Sequence, residues 1–304
     1  MTTTVQAVPK WTPTALDRLW GRDPDLRPAL RRGLLGTPGL LFILVFFLYP
    51  LFLLVELSFQ AKAGGWSSEH YLRIFNTTVY AQIIWKTAWI SATVTLLNFL
   101  VAYPFAVALA RSKGWVRIVL LISILMPFWT NLLVRAYGWI VVLHPRGLIN
   151  TMLGGLGLIG EPVAIVHNTT GVLIGMTQIM LPYMVLPIAA QIEKMDGRLL
   201  QAARSLGASP LRTFAHVFFP LTLPGVFAGA LMVFVLSLGF FVIPALLGGR
   251  RDILIAQLIH FNLTKVLNWE LAAALSTILL VITLGIFLAA QRWFRLNSLW
   301  SEVK

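Results

Sequence analysis

Long uncharged runs, parted by short polar segments, organise this chain. Uncharged stretches lie between Arg32 and Glu56, Lys86 and Arg111, Arg117 and Arg135, Glu161 and Glu193, Arg212 and Arg250, and Glu270 and Arg292. Crossing a hydrocarbon core takes about 20 apolar residues in a helix, and each run approaches or exceeds that length. Backbone within a bilayer must satisfy its own hydrogen bonds, and no barrel-like alternation with turn signals is visible, so the runs predict helices. Six follow, at 37–60, 83–110, 116–143, 168–191, 221–248 and 271–292. The expected fold class is all-α, a polytopic membrane protein. Its expected divisions are a tail at 1–36, a six-helix membrane domain at 37–292 containing a polar loop at 192–220, and a second tail at 293–304.

Composition agrees with this pattern. The 304 residues are 58% hydrophobic and 12% charged, against about 25% charged in soluble domains. Sixteen of the 24 lysines and arginines fall in the two tails, in the loops at 111–117 and 192–220, and at Arg292 where the last span meets its tail. The positive-inside bias therefore predicts that both termini and the 192–220 loop are cytoplasmic. A net charge of +13 is accounted for by anchoring to anionic lipid head groups. Nucleic-acid binding is disfavoured, because the basic residues are dispersed among loops instead of lining one surface. Pro13, Pro24 and Pro28 mark the N-terminal tail as polar and irregular, with one surface helix expected near Thr14 to Trp20, and the first span reads as an uncleaved anchor.

Little chemistry is available. The chain has no cysteine, which removes disulfides, thiolate metal sites and thiol catalysis, and it has 11 acids with no metalloprotease, phosphate-loop or paired-carboxylate spacing. The histidines, His70, His144, His167, His216 and His260, are scattered. No catalytic residue, no metal site and no cofactor is expected on this chain.

The polar loop is built with more care than a connector requires. Asp196 is placed to cap a helix, and Leu199, Ala203 and Leu206 follow at helical spacing as an apolar stripe. Gly207 stands where a glycine ends a helix by taking positive φ. Ser209 and Pro210 are a second cap and first helical position. Leu211, Phe214, Ala215 and Phe218 continue the helical period, and Pro220 is expected to break or bend the chain into the fifth span. The pattern predicts two short helices meeting at a glycine corner.

This loop resembles the coupling loop of ABC-importer permeases, whose pattern is Glu-Ala-Ala, three residues, Gly, nine residues, Ile, any residue, Leu, Pro. Here Gln201-Ala202-Ala203 leads after three residues to Gly207, and after nine more to Val217-Phe218-Phe219-Pro220. The spacing matches throughout, with Gln for Glu, Val for Ile and Phe for Leu. Further strings are similar to the spermidine/putrescine branch of these type I importers: Met126-Pro127-Phe128-Trp129-Thr130-Asn131, Arg135-Ala136-Tyr137-Gly138-Trp139, Gly147-Leu148-Ile149-Asn150, Leu181-Pro182-Tyr183-Met184-Val185-Leu186-Pro187, and Phe240 to Gly249. Related importers for ferric iron, thiamine or phosphonates carry looser versions.

The resemblance implies a permease subunit of the bacterial inner membrane, carrying polyamines, that hydrolyses nothing itself. It implies a second homologous permease chain, two ATP-binding subunits that hold ATP and Mg, and an extracytoplasmic solute-binding protein. The coupling set it implies is Gln201, Ala202, Ala203, Leu206, Gly207 and Pro220. Gln201 removes a negative charge that the family pattern offers to a basic partner. Charge-assisted hydrogen bonds are the stronger kind, so docking is expected to rest on the apolar stripe and Gly207.

A translocation path is sought among polar and aromatic residues inside spans, where such groups are costly. Glu56, Asn98, Asn131, Arg135 and Gln178 are polar candidates, with Glu56 and Lys86 read as snorkelling or paired with each other. Asn131 and Arg135 lie one turn apart beside an expected kink at Pro127. Trp129, Tyr137, Tyr183, Phe240 and Phe241, with Phe128 and Trp139, offer ring faces to a cation, although interface or lipid contact is the commoner role of Trp and Tyr. Pro127, Pro182, Pro187 and Pro244 are expected to break helices at membrane depth. A secondary transporter needs an inverted repeat and midplane acids, and a redox anchor needs haem-spaced histidines within spans. Neither pattern is present.

Overall fold

The computed structural model describes residues 37–61 and 64–301, with the backbone alone over 293–301. The N-terminal tail and its expected surface helix lie outside the described residues. Among the described residues regular structure is helical, apart from one isolated bridge between Gln60 and Trp66. The helices are α1 (Thr37–Ser58), α2 (Glu69–Asn76), α3 (Thr78–Arg111), α4 (Gly114–Trp129), α5 (Leu132–Leu143), α6 (Leu148–Gly155), α7 (Thr169–Glu193) and α8 (Gly197–Ser205). They continue with α9 (Pro210–Leu238), α10 (Val242–Leu247), α11 (Ile255–Phe261) and α12 (Trp269–Ser301). Six stretches are long and apolar enough to cross a membrane: α1, Leu132–Gly155, α3, α7, α9 and the Trp269–Arg292 part of α12.

The chain divides into two units at Glu56. The first consists, among the described residues, of α1 up to that residue. It is apolar on every face and contains a π-turn at Leu44–Leu48, the pattern of a helix surrounded by hydrocarbon.

The second unit is centred on α3, α7 and α9. Ile90, Val94, Ala102 and Ala106 of α3, Met176, Met184 and Ile188 of α7, and Val226 and Val233 of α9 are buried in one cluster. Lipid tails are as apolar as these side chains, so close backbone approach has to bring the helices together. Gly225 and Gly229, one turn apart on α9, provide it: an added Cβ would sit 2.7 Å from the Pro187 carbonyl oxygen and 2.8 Å from the Met184 sulfur, respectively. A second, smaller cluster packs Ile74 of α2 against Leu271, Ala274 and Leu275 of α12.

Helix ends depart from expectation in several places. The span predicted as one helix at 116–143 is two, α4 and α5. The break comes after Pro127: the Thr130 amide and hydroxyl both donate to the Pro127 carbonyl, at 3.3 and 2.9 Å. Asn131 then caps α5 by accepting from the Leu133 amide at 2.8 Å. Two polar side chains thus take over the hydrogen bonds of a continuous ladder, in a run that stays uncharged between Arg117 and Arg135. Pro182 and Pro187, expected to break α7, lie within it. Each removes one amide donor, yet the helix is continuous through both, with Met184, Val185 and Ile188 buried in the core around them. The fifth span begins earlier than predicted, at Pro210, and ends at Leu238; residues 239–241 unwind before α10. α3 starts five residues before its predicted beginning, and α12 continues to Ser301, through most of the segment expected as a C-terminal tail.

The loop between α10 and α11 is pinned by one carboxylate. Lys86 of α3, read from the sequence as snorkelling or paired with Glu56, instead stands 2.7 Å from Asp252. Thr169 donates to the same carboxylate at 2.6 Å and the Gly249 amide at 3.0 Å. Burial alone would push the Asp252 carboxyl up. The hydrogen bonds from Lys86, Thr169 and Gly249, with the Lys86 charge, outweigh it and hold the group below the usual carboxylate range. Close by, the Ile255 amide donates to the Thr87 hydroxyl at 3.0 Å.

Candidate functional site

The 192–220 loop folds into the two-helix corner that its caps predict. Asp196 accepts from the Arg198 amide at 2.9 Å and opens α8. At its other end the Gly207 amide bonds the Arg204 carbonyl at 2.9 Å and the Ala208 amide bonds Ala203 at 3.1 Å. This pair of bonds is a Schellman closure, which requires the left-handed backbone that Gly207 supplies at φ +83°. Ser209 then accepts from Arg212, and Pro210 occupies the first position of α9. Pro220 does not break the chain. A π-turn at Phe214–Phe218 immediately precedes it, with the Phe219 amide reaching back to Phe214. The missing proline donor falls where the ladder is already shifting register, so the helix continues.

The corner presents apolar side chains to solvent. Leu206 is 89% exposed and Leu211 77%, one on each side of Gly207. The predicted stripe divides: Leu199 and Leu206 face outward, Ala203 is half-buried, and Leu200 and Met195 pack inward on the core. Gln201 and Ala202 are exposed. A Cβ at Gly207 would meet nothing within 4 Å, so the restriction there comes from backbone geometry.

Behind the corner lies a cleft of about 430 Å³, lined among others by Arg111, Arg117, Glu193, Leu200 and Phe218. Arg117 of α4 pairs with Glu193 at the end of α7 at 2.7 Å, and the Arg111 guanidinium sits 4.9 Å over the Phe218 ring. Neither pair was singled out in the sequence. The signal was present only as charges at helix ends, which carry no information about partners.

The pathway candidates do not gather in one place. Tyr183 of α7 meets Phe128 of α4 edge-on at 5.5 Å. Trp139 donates to Gln178 of α7 at 3.3 Å. Arg135 is half-buried, with its Nε lacking any hydrogen-bond partner. Phe240 and Phe241 lie in the unwound link between α9 and α10, Phe240 against the core and Phe241 4.7 Å from the His260 ring. Trp129, Asn131 and Tyr137 are exposed. Asn98 is fully buried inside the core; its Nδ2 donates to the Val94 carbonyl at 3.0 Å, while its Oδ1 has no hydrogen-bond partner. Among the described residues no three His, Asp or Glu side chains stand close enough to hold a metal ion.

Comparison with known proteins adds to this geometry. The family model of the binding-protein-dependent transport system inner membrane component matches residues 102–294. The spermidine/putrescine transport system permease protein PotB of Haemophilus influenzae is 35% identical over 259 residues, covering 82% of this chain and 90% of that protein. PotB of Escherichia coli is 35% identical over 252 residues, covering 81% and 91%. In fold, the chain is similar to one in the crystal structure of a bacterial alginate ABC transporter in complex with an alginate pentasaccharide-bound periplasmic protein. The TM-score is 0.71 at 18% identity, covering 90% of this chain and 96% of that one.

Proposed function

The chain belongs to the family of binding-protein-dependent transport inner membrane components, as a permease subunit of an importer, and we propose that it carries polyamines such as putrescine and spermidine. In this reading it forms half of a translocation path with a second homologous permease. Two ATP-binding subunits hold ATP and Mg, and an extracytoplasmic binding protein delivers the solute. The chain crosses the inner membrane of a bacterium with both termini in the cytoplasm. The distribution of its lysines and arginines supports that orientation.

The observation that carries the coupling half of this proposal is the corner at Gly207. Two capped helices hold exposed Leu206 and Leu211 around a backbone turn that glycine allows. Burying such a leucine in a partner contributes about 1.5–3 kcal/mol. The corner, with Gln201, Ala202, Ala203 and Pro220, is the surface that one ATPase grips. ATP-driven closure of the ATPase pair then tilts α9 through its first turns. Tyr183, Phe128, Phe240 and Phe241 supply ring faces to a passing ammonium group, and the link at 239–241 supplies a movable joint beside them. Trp129, Asn131 and Tyr137 belong in this scheme to the face turned to the sister permease.

The test is reconstitution of the permease pair with its ATPase and binding protein in liposomes. Binding protein loaded with putrescine or spermidine is expected to stimulate ATP hydrolysis and drive solute uptake. The substrate half is wrong if neither polyamine stimulates while another solute does. One observation favours a second reading within the family: the unpartnered Nε of half-buried Arg135 suits an anionic group, so phosphonate is the solute to try first if polyamines fail.

A further inference from the structure

Two backbone defects lie side by side behind the corner. Pro104 removes a donor from the ladder of α3, and the π-turn at Phe214–Phe218, followed by Pro220, disturbs the ladder of α9. Each defect has a hydroxyl beside it. Tyr103 immediately precedes Pro104, Thr222 follows Pro220 by two positions, and the two oxygens stand 3.1 Å apart. Both residues are buried, Thr222 completely. The Thr222 hydroxyl also lies 2.7 Å from the Phe219 carbonyl, which takes its one proton, so Tyr103 donates to Thr222.

Aromatic rings surround that bond. The Tyr103 ring is 5.6 Å from Phe99 on its own helix, 5.7 Å from Phe219 and, at right angles, 6.3 Å from Phe214. Phe214 opens the π-turn and stacks on Phe218 at 5.7 Å. Arg111, two turns beyond Tyr103 on α3, covers Phe218. The residues that join the glycine corner to the core are thus clasped by α3 at the level where both ladders are interrupted.

A π-turn is a weakly bonded place in a helix and recurs at functional sites. A force applied at Gly207 would bend α9 there and dissipate unless the turn were tied to a neighbour. We propose that Tyr103 and Thr222 are positioning residues that tie it. Their hydrogen bond makes α3 and α9 move together when the corner is displaced, so that ATP-driven motion reaches the spans. This rests on the reading of the corner as the ATPase-docking surface.

The test uses the reconstituted full complex with putrescine-loaded or spermidine-loaded binding protein, and reads solute transported per ATP hydrolysed. Tyr103→Phe and Thr222→Val both preserve volume. Each is expected to lower that ratio about fivefold, the size of one buried hydrogen bond, with basal ATPase and membrane abundance unchanged. The double variant should be no worse than either single, because both remove one shared bond, and Thr222→Ser should restore the ratio. Either single variant with a wild-type ratio overturns the proposal. So does a loss of transport matched by an equal loss of stimulated ATPase, which is what a merely structural role produces, and so do effects that multiply in the double variant. If the wild-type complex is not stimulated by any loaded binding protein, the docking reading falls and the joint falls with it.

Discussion

Leu206 and Gln201 share one helical corner and illustrate how differently two exposed residues can contribute. Leu206 is 89% exposed, and in a docked complex its burial is worth about 1.5–3 kcal/mol, a tenfold or greater effect on association. Gln201 offers a neutral amide where the family pattern has a carboxylate, and a neutral hydrogen bond nets about 1 kcal/mol. Leu206→Asp should therefore weaken ATPase association in nanodiscs at least about tenfold, whereas Gln201→Ala should stay within about fivefold. Comparable losses in the two variants would show that docking rests on hydrogen bonding as much as on apolar burial. The positions of such residues were legible because caps are local. Asp196, Gly207 and Ser209 announce their roles within a few residues of the ends they cap, and their hydrogen bonds and φ angle follow. The inward turn of Leu200 in place of Leu199 was not legible, since only the packed core decides which face of a short helix turns toward it.

The same contrast holds for whole elements. Spans were read from apolar runs, because a bilayer imposes length and helicity on any segment that crosses it. Breaks inside a run were not, since the run stays uncharged across Thr130 and Asn131 and the break depends on which side chains reach back to the backbone. Prolines misled in the opposite direction: Pro182 and Pro187 sit in an unbroken helix held by its neighbours. Nor does sequence reveal that Lys86 belongs to Asp252, far along the chain, which pins the loop between α10 and α11 to α3 and α7. Asp252→Asn leaves the Lys86 ammonium without its counter-charge in a partly buried place. It should cost about 2 kcal/mol, seen as a lower unfolding temperature in detergent. The pH dependence has a definite sign. A carboxyl held below its usual value of about 4 stabilises the fold fully above that pH, and the contribution is lost as pH falls through the depressed native value. Thermal unfolding of the wild type should accordingly show an acid-side loss that the Asn variant lacks, and equal acid-side losses would contradict the assignment.

At the scale of the molecule, a chain with no cysteine, 11 acids and 58% hydrophobic residues has little to do chemistry with and much to move. Its core of α3, α7 and α9 is drawn close by glycines, and the corner at Gly207 projects from the first turns of α9. The family membership agrees with a division of labour in which this chain supplies the passage and the lever while hydrolysis occurs elsewhere. Gly207 is where that proposal is most exposed to test. Its φ of +83° is strained for any residue with a Cβ, and a large side chain there would stand on the surface proposed for docking. The decisive measurement is ATP hydrolysis by the reconstituted complex carrying Gly207→Trp, with and without solute-loaded binding protein, alongside the amount of permease in the membrane. The expected result is normal membrane abundance with stimulation abolished; full stimulation would contradict the assignment of this corner as the coupling surface.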